Sequence, residues 1–182
     1  MESKEKQMLE LFFEQPTREW HFEEILKEAK ITRSKANEWL KYFIKEDLIK
    51  RIKERKKMPY YASNCESASY KNKKKIFAFE KLYNIGFLNH LLSLKNATTV
   101  IIFGSFARSD WYKESDVDLF IYGDAKGLKI VNYELELHKE IQVFICKNKD
   151  DLIKLGSGLL RNIIKGNIIK GNIDFVKVDV NA

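Results

Sequence analysis

Cysteine and histidine are scarce in this 182-residue chain, which has two of the first and three of the second. Cys65 and Cys146 lie far apart, with no Cys-x-x-Cys or Cys/His spacing, so neither a disulfide framework nor a zinc module is supported. His21, His90 and His138 are scattered, which leaves a histidine metal cluster or a catalytic triad without support. Long apolar runs are also missing: none approaches the ~18 residues needed to cross a bilayer. The opening Met1-Glu-Ser-Lys-Glu-Lys has no apolar core behind a basic tip, the mark of a secretory leader. A soluble, cytoplasmic protein is expected.

Charge, by contrast, is plentiful. Lys and Arg outnumber Asp and Glu by 33 to 26, a net +7. The excess is concentrated at one end, because residues 1–75 hold 19 basic against 13 acidic side chains. A basic excess confined to one region suits a polyanionic partner. The hydrophobic share of 45% is enough for ordinary cores, and the uneven charge favours two small domains over one large one.

Met8, Leu9, Leu11, Phe12 and Phe13 form the apolar face of a first helix over 3–15, which Pro16 terminates. Phe22, Ile25, Leu26 and Ala29 repeat at helical spacing for a second. Thr32 or Ser34 can cap a third, whose buried face is expected at Ala36, Trp39, Leu40, Phe43 and Ile44. Leu48 to Ile52 alternates as a strand, 53–58 is a polar turn, and Pro59-Tyr60-Tyr61-Ala62 reads as the returning strand.

Three motifs, Trp20-His21-Phe22-Glu23-Glu24-Ile25, Ile31-Thr32-Arg33-Ser34-Lys35 and Glu46-Asp47-Leu48-Ile49, with a Tyr-Tyr after the turn, resemble the winged helix-turn-helix domains of prokaryotic transcription regulators. In such domains the third helix enters the major groove and the wing touches the DNA backbone. The resemblance implies that Arg33, Lys35, Asn37 and Lys41 face DNA, with Arg55, Lys56 and Lys57 on phosphates. A linker follows, and Ile76, Phe79, Leu82, Tyr83, Phe87, Leu91 and Leu94 mark one long helix, apolar on more than one side. It is expected to pack within the chain or on its copy in a homodimer.

Val100 to Phe103 is wholly apolar, as in a strand buried on both faces. Gly104 and Ser105 turn the chain into a short helix through Arg108, whose exposed N–H groups suit a phosphate. Ten residues separate Ser105 from Asp116-Val117-Asp118-Leu119. Residues two apart on a strand share a face, so both carboxylates point one way and call for a hard cation such as Mg²⁺. This spacing resembles the DNA polymerase β-like nucleotidyltransferases, closest to the minimal members, over about 97–171.

The resemblance implies that Gly104, Ser105 and Arg108 bind the phosphates of ATP or another nucleoside triphosphate, with Ser115 beside the metal-holding Asp116 and Asp118. It also implies in-line attack by a hydroxyl on the α-phosphate, helped by a third carboxylate on a later strand. That strand is expected at 140–145, after a helix over 133–139, with Ile141, Val143 and Ile145 on the core face. The third acid's position falls on Gln142, an amide that can neither take a proton at neutral pH nor neutralise a metal. Glu140, one step along, is the alternative. Beyond it a helix is expected over 151–160. The repeated Asn-Ile-Ile-Lys-Gly at 162–166 and 167–171 is expected to prolong it, before a last strand through Val176 and Val178.

The expected class is α+β. A winged helix-turn-helix occupies 1–65, a linker and long helix 66–96, and a nucleotidyltransferase fold with a small mixed sheet flanked by helices 97–182. Three functions compete: a Mg²⁺-dependent nucleotidyltransferase with a DNA-binding domain, a DNA-binding transcription regulator whose nucleotide-binding domain is catalytically impaired, and an antitoxin-like partner of a small helical protein.

Overall fold

A computed structural model describes residues 3–176. The chain divides into two compact units, residues 1–76 with 111–113, and residues 77–110 with 114–182.

In the first unit, helix α1 (Lys4–Glu14) starts at Ser3, whose hydroxyl accepts from the Lys6 N–H at 3.3 Å. It buries Met8, Leu9, Phe12 and Phe13. Pro16 has no N–H to offer the carbonyl four residues back, that of Phe12. The Ser63 hydroxyl at 2.7 Å and the buried Tyr70 hydroxyl at 3.0 Å donate to that carbonyl instead. Burial pushes the Tyr70 phenol up from its usual range.

Strand β1 (Trp20–His21) leads into α2 (Phe22–Ala29), where the Glu24 carboxylate accepts from the His21 N–H at 2.9 Å. Thr32 caps α3 (Arg33–Lys45), accepting from the Lys35 N–H at 3.4 Å. Ala36, Leu40 and Phe43 are buried, but Ile44 is 38% exposed and Trp39 only half-buried. The stripe 36–40–43 fixes the inward face, and Ile44 stands about 100° round from Phe43. Strands β2 (Ile49–Ile52) and β3 (Tyr60–Ser63) form an antiparallel hairpin, and β1 pairs with β3, giving the order β1-β3-β2. Trp111, counted with this unit, is 2% exposed and lies 6.2 Å from the Phe13 ring. The buried Lys74 ammonium stands 4.6 Å from its ring centroid.

The expected long helix is two. Helix α4 (Ala68–Asn84) and α5 (Phe87–Leu92) are separated by Gly86 at φ +79°, a conformation that ends a helix.

The second unit then lays down β4 (Ala97–Phe103), α6 (Gly104–Arg108), β5 (Val117–Gly123), α7 (Val131–Leu137), β6 (Ile141–Cys146), α8 (Lys149–Lys154), α9 (Gly156–Ile164) and β7 (Asn167–Lys170). Its sheet runs β6-β5-β4-β7, with β5 and β6 parallel across the α7 connection and the other pairs antiparallel. This is the α+β class that was expected, with a small mixed sheet in the second unit.

Several local expectations change. The helix expected over 151–160 breaks at Gly156, φ +76°. The second copy of the pentapeptide does not lengthen a helix but forms β7, with Ile168 opposite Ile101. Val176 lies in a turn, its N–H donating to the Ile173 carbonyl at 2.9 Å, and Val178 falls outside the described residues. On β6, Ile141 is buried but Ile145 is 45% exposed, because β6 is an edge strand. The opposite face carries the packing: Phe144 and Cys146 join Ile101, Phe103, Phe120, Leu152 and Ile163 in one core.

Candidate functional site

The sheet brings three strands together at one row. Phe103 ends β4, and its register partner Asp118 in β5 is in turn paired with Gln142 in β6. Register partners point to the same face. The next rows on that face, Ile101–Phe120–Phe144 and Thr99–Tyr122–Cys146, lead from the polar row into the core. The site is therefore the polar end of an otherwise apolar sheet face.

Asp116 stands one residue before β5, and Gln142 Nε2 donates to its Oδ2 at 2.6 Å. The amide must turn its nitrogen to the carboxylate, since oxygen facing oxygen makes no bond. Burial, and then the neighbouring Asp116, raise the Asp118 carboxyl above its ordinary range, while Arg108 pulls the other way. Gly104, at φ +67°, sits directly against this side chain. A Cβ on Gly104 would fall 2.8 Å from Asp118 Cγ and closer still to Oδ2. The Gly-Ser turn and the carboxylate strand are thus fitted to each other without room for a methyl group.

Ser105 is half-buried in α6, and its carbonyl accepts from the Asp110 N–H at 3.2 Å. Ser115 is half-buried beside Asp116. Arg108 is exposed and donates from Nε to Asp110 Oδ2 at 3.0 Å. Glu140 precedes β6; its carbonyl accepts from the Val117 N–H at 2.9 Å, and the residue lines a cavity of about 390 Å³ with Val131, Glu134, Leu135, His138 and Lys139. Among the described residues, no third Asp, Glu, His or Cys joins Asp116 and Asp118 in a group that could hold a metal. The bond from Gln142 to Asp116 had no signal in the sequence, because it depends on the register between β5 and β6.

In the first unit, Arg33, Lys35, Asn37, Lys41, Arg55, Lys56 and Lys57 are all exposed. Three are engaged by carboxylates: Arg33 with Glu23 at 2.6 Å, Lys35 with Glu38 at 2.9 Å and Lys57 with Glu54 at 2.5 Å. Such exposed pairs contribute little to stability and are screened by salt.

Residues 88–175 match the family model described as polymerase beta, nucleotidyltransferase. The span includes β4, α6, β5 and β6, and therefore the whole Gly104–Asp116–Asp118–Gln142 arrangement. The part of the sequence resemblance that concerns this domain stands. No curated protein matches the chain. Among the described residues no helix is long and apolar enough to cross a membrane.

Proposed function

We propose that the second unit binds a nucleoside triphosphate with Mg²⁺ and transfers its nucleoside monophosphate to an acceptor oxygen, while the first unit holds duplex DNA as a winged helix-turn-helix. The observation that carries the first half is the fit of Gly104 against Asp118, which joins a tight turn to a carboxylate pair. A side chain at position 104 would meet the Asp118 carboxylate, so glycine lets the turn lie directly against the strand that carries the acidic pair.

The donor set suits a hard cation: Asp116 and Asp118 supply carboxylate oxygens, and burial, with the neighbouring Asp116 next, raises the Asp118 carboxyl, a cost that a bound cation would offset. These two residues would hold the ion, which when bound offsets the charge of the triphosphate and stabilises the leaving pyrophosphate. Gln142 holds Asp116 in place, the Ser105 hydroxyl donates to a phosphate oxygen, and Arg108 adds charge beside Asp118. Calorimetric titration with Mg²⁺-ATP tests this: wild type binds, and Asp118→Ala loses at least about tenfold in affinity, or 1.4 kcal/mol. Equal binding by both proteins removes Asp118 from the site.

For the first unit, support comes from the element order α1-β1-α2-α3-β2-β3 and the sheet order β1-β3-β2, which present α3 and the β2–β3 hairpin with their exposed cations. A second reading, a DNA-binding regulator that holds nucleotide without turnover, is favoured by the amide at Gln142 where the family has an acid. Nucleotide binding without any product formation would decide for it.

A further inference from the structure

We propose that the acceptor at this site is a phosphate, inorganic or as a monoester, and not an alcohol. This rests on the nucleotidyl-transfer reading above and adds which oxygen attacks.

The reasoning starts from Gln142. It stands beside Asp118 in register, donates to Asp116 at 2.6 Å, and among the described residues no further acid, histidine or cysteine joins the pair in a group that could hold a metal. An amide accepts no proton at neutral pH and carries no charge. An alcohol must lose its proton as its oxygen bonds to phosphorus, and a positioned base contributes about 10²- to 10⁴-fold to such a step. A phosphate monoester is largely a dianion at neutral pH, its second pKa being about 6, and it attacks without a base. Charge points the same way. A carboxylate at position 142 would repel an incoming dianion, whereas the amide removes that negative charge; Arg108 on the neighbouring turn, bonded to Asp110 at 3.0 Å, is the nearby cation.

The chemistry balances without a proton acceptor. An acceptor phosphate oxygen bonds to the α-phosphorus, and the bond from that phosphorus to the α,β-bridging oxygen breaks. The bridging oxygen leaves with the electron pair as pyrophosphate. Inorganic phosphate yields a nucleoside diphosphate, and a monoester yields a diester of diphosphate.

The experiment uses the full chain with Mg²⁺ and a mixture of the four α-³²P-labelled nucleoside triphosphates. Inorganic phosphate, ribose 5-phosphate, ribose or glycerol is supplied as acceptor, and wild type is compared with Gln142→Glu. Wild type is expected to label the phosphate acceptors on the order of a hundredfold faster than ribose or glycerol. Labelling of ribose 5-phosphate alone identifies a monoester acceptor, and labelling of both identifies the phosphate group itself. In Gln142→Glu the preference reverses. Calorimetry with inorganic phosphate on the protein saturated with α,β-methylene-ATP gives a readout independent of turnover, and Gln142→Glu is expected to bind phosphate at least about tenfold more weakly. Thermal melts check that the variant is folded.

Wild-type labelling of ribose or glycerol at the phosphate rate overturns the proposal, as does no product from wild type while Gln142→Glu labels ribose. Phosphate binding unchanged by Gln142→Glu, or no product from either protein with triphosphate bound, also overturns it. These outcomes leave nucleotide binding at Asp118 standing, whereas failure of both proteins to bind triphosphate removes the nucleotidyl-transfer reading itself.

Discussion

Gly86 and Gly104 share a left-handed backbone, φ +79° and +67°, but differ in what surrounds them. Nothing lies within 4 Å of a Cβ at Gly86, whereas one at Gly104 meets the Asp118 carboxylate. Gly86→Ala is therefore expected to destabilise by about 1–2 kcal/mol, the left-handed penalty alone, and to leave Mg²⁺-ATP binding unchanged. Gly104→Ala is expected to reduce that binding at least about tenfold, because Asp118 must move. Melts and calorimetry on both variants separate the two effects. His90 offers a pH-dependent test. Its Nε2 accepts from the Lys129 N–H at 2.9 Å, and burial, with Lys129 next, holds its pKa below the usual value. The neutral ring is the folded form, so this contribution is present above the unfolded pKa of about 6.5 and is lost as pH falls through the folded value. Melting temperature is expected to drop between pH 7.5 and 5.5 more in wild type than in His90→Gln. Spacing along the chain singled out Gly104 and Asp118, and the structure brings these two residues together. Gln142 was legible as a departure but not as a partner of Asp116, since no local pattern encodes pairing between strands β5 and β6.

At the scale of elements, legibility followed burial. Strand β5 reads clearly because Val117, Leu119, Phe120 and Ile121 are all fully buried. Strand β6 was legible in its place but not in its inward face, because an edge strand carries apolar residues on both faces and Phe144 and Cys146 join the core on the side of the site. The two helix breaks were missed for a related reason: periodicity continues through Gly86 and Gly156, and only backbone angles mark the ends. Phe120 joins the polar row to the helices, since its cluster includes Leu152 of α8 and Ile163 of α9. Phe120→Ala is expected to destabilise by about 3–5 kcal/mol in denaturant unfolding. Phe120→Leu, which keeps most of the volume, should lose much less.

For the molecule as a whole, the proposed DNA binding has a salt test, since its response to salt follows the number of phosphates contacted and not the net charge of +7. Each phosphate contact contributes roughly 0.9 to the slope of log affinity against log salt concentration. Charge reversal of Arg55 and Lys56, both exposed in the β2–β3 hairpin, is expected to weaken duplex binding uniformly across sequences and to lower that slope by about one per contact. Fluorescence anisotropy at several salt concentrations measures it, and an unchanged slope would take the hairpin out of the interface.

The pentapeptide Asn-Ile-Ile-Lys-Gly occurs twice in succession and takes two forms: its first copy closes α9 and its second is β7. Identical words thus carry different meanings according to their neighbours. The β4 edge claims the second copy, with Ile168 opposite Ile101 and Gly171 against the Thr98 carbonyl. A synthetic peptide of residues 162–171 is expected to give the circular dichroism of an unordered chain, with neither copy retaining its native form. Grammar at this end of the protein belongs to the sheet and not to the segment.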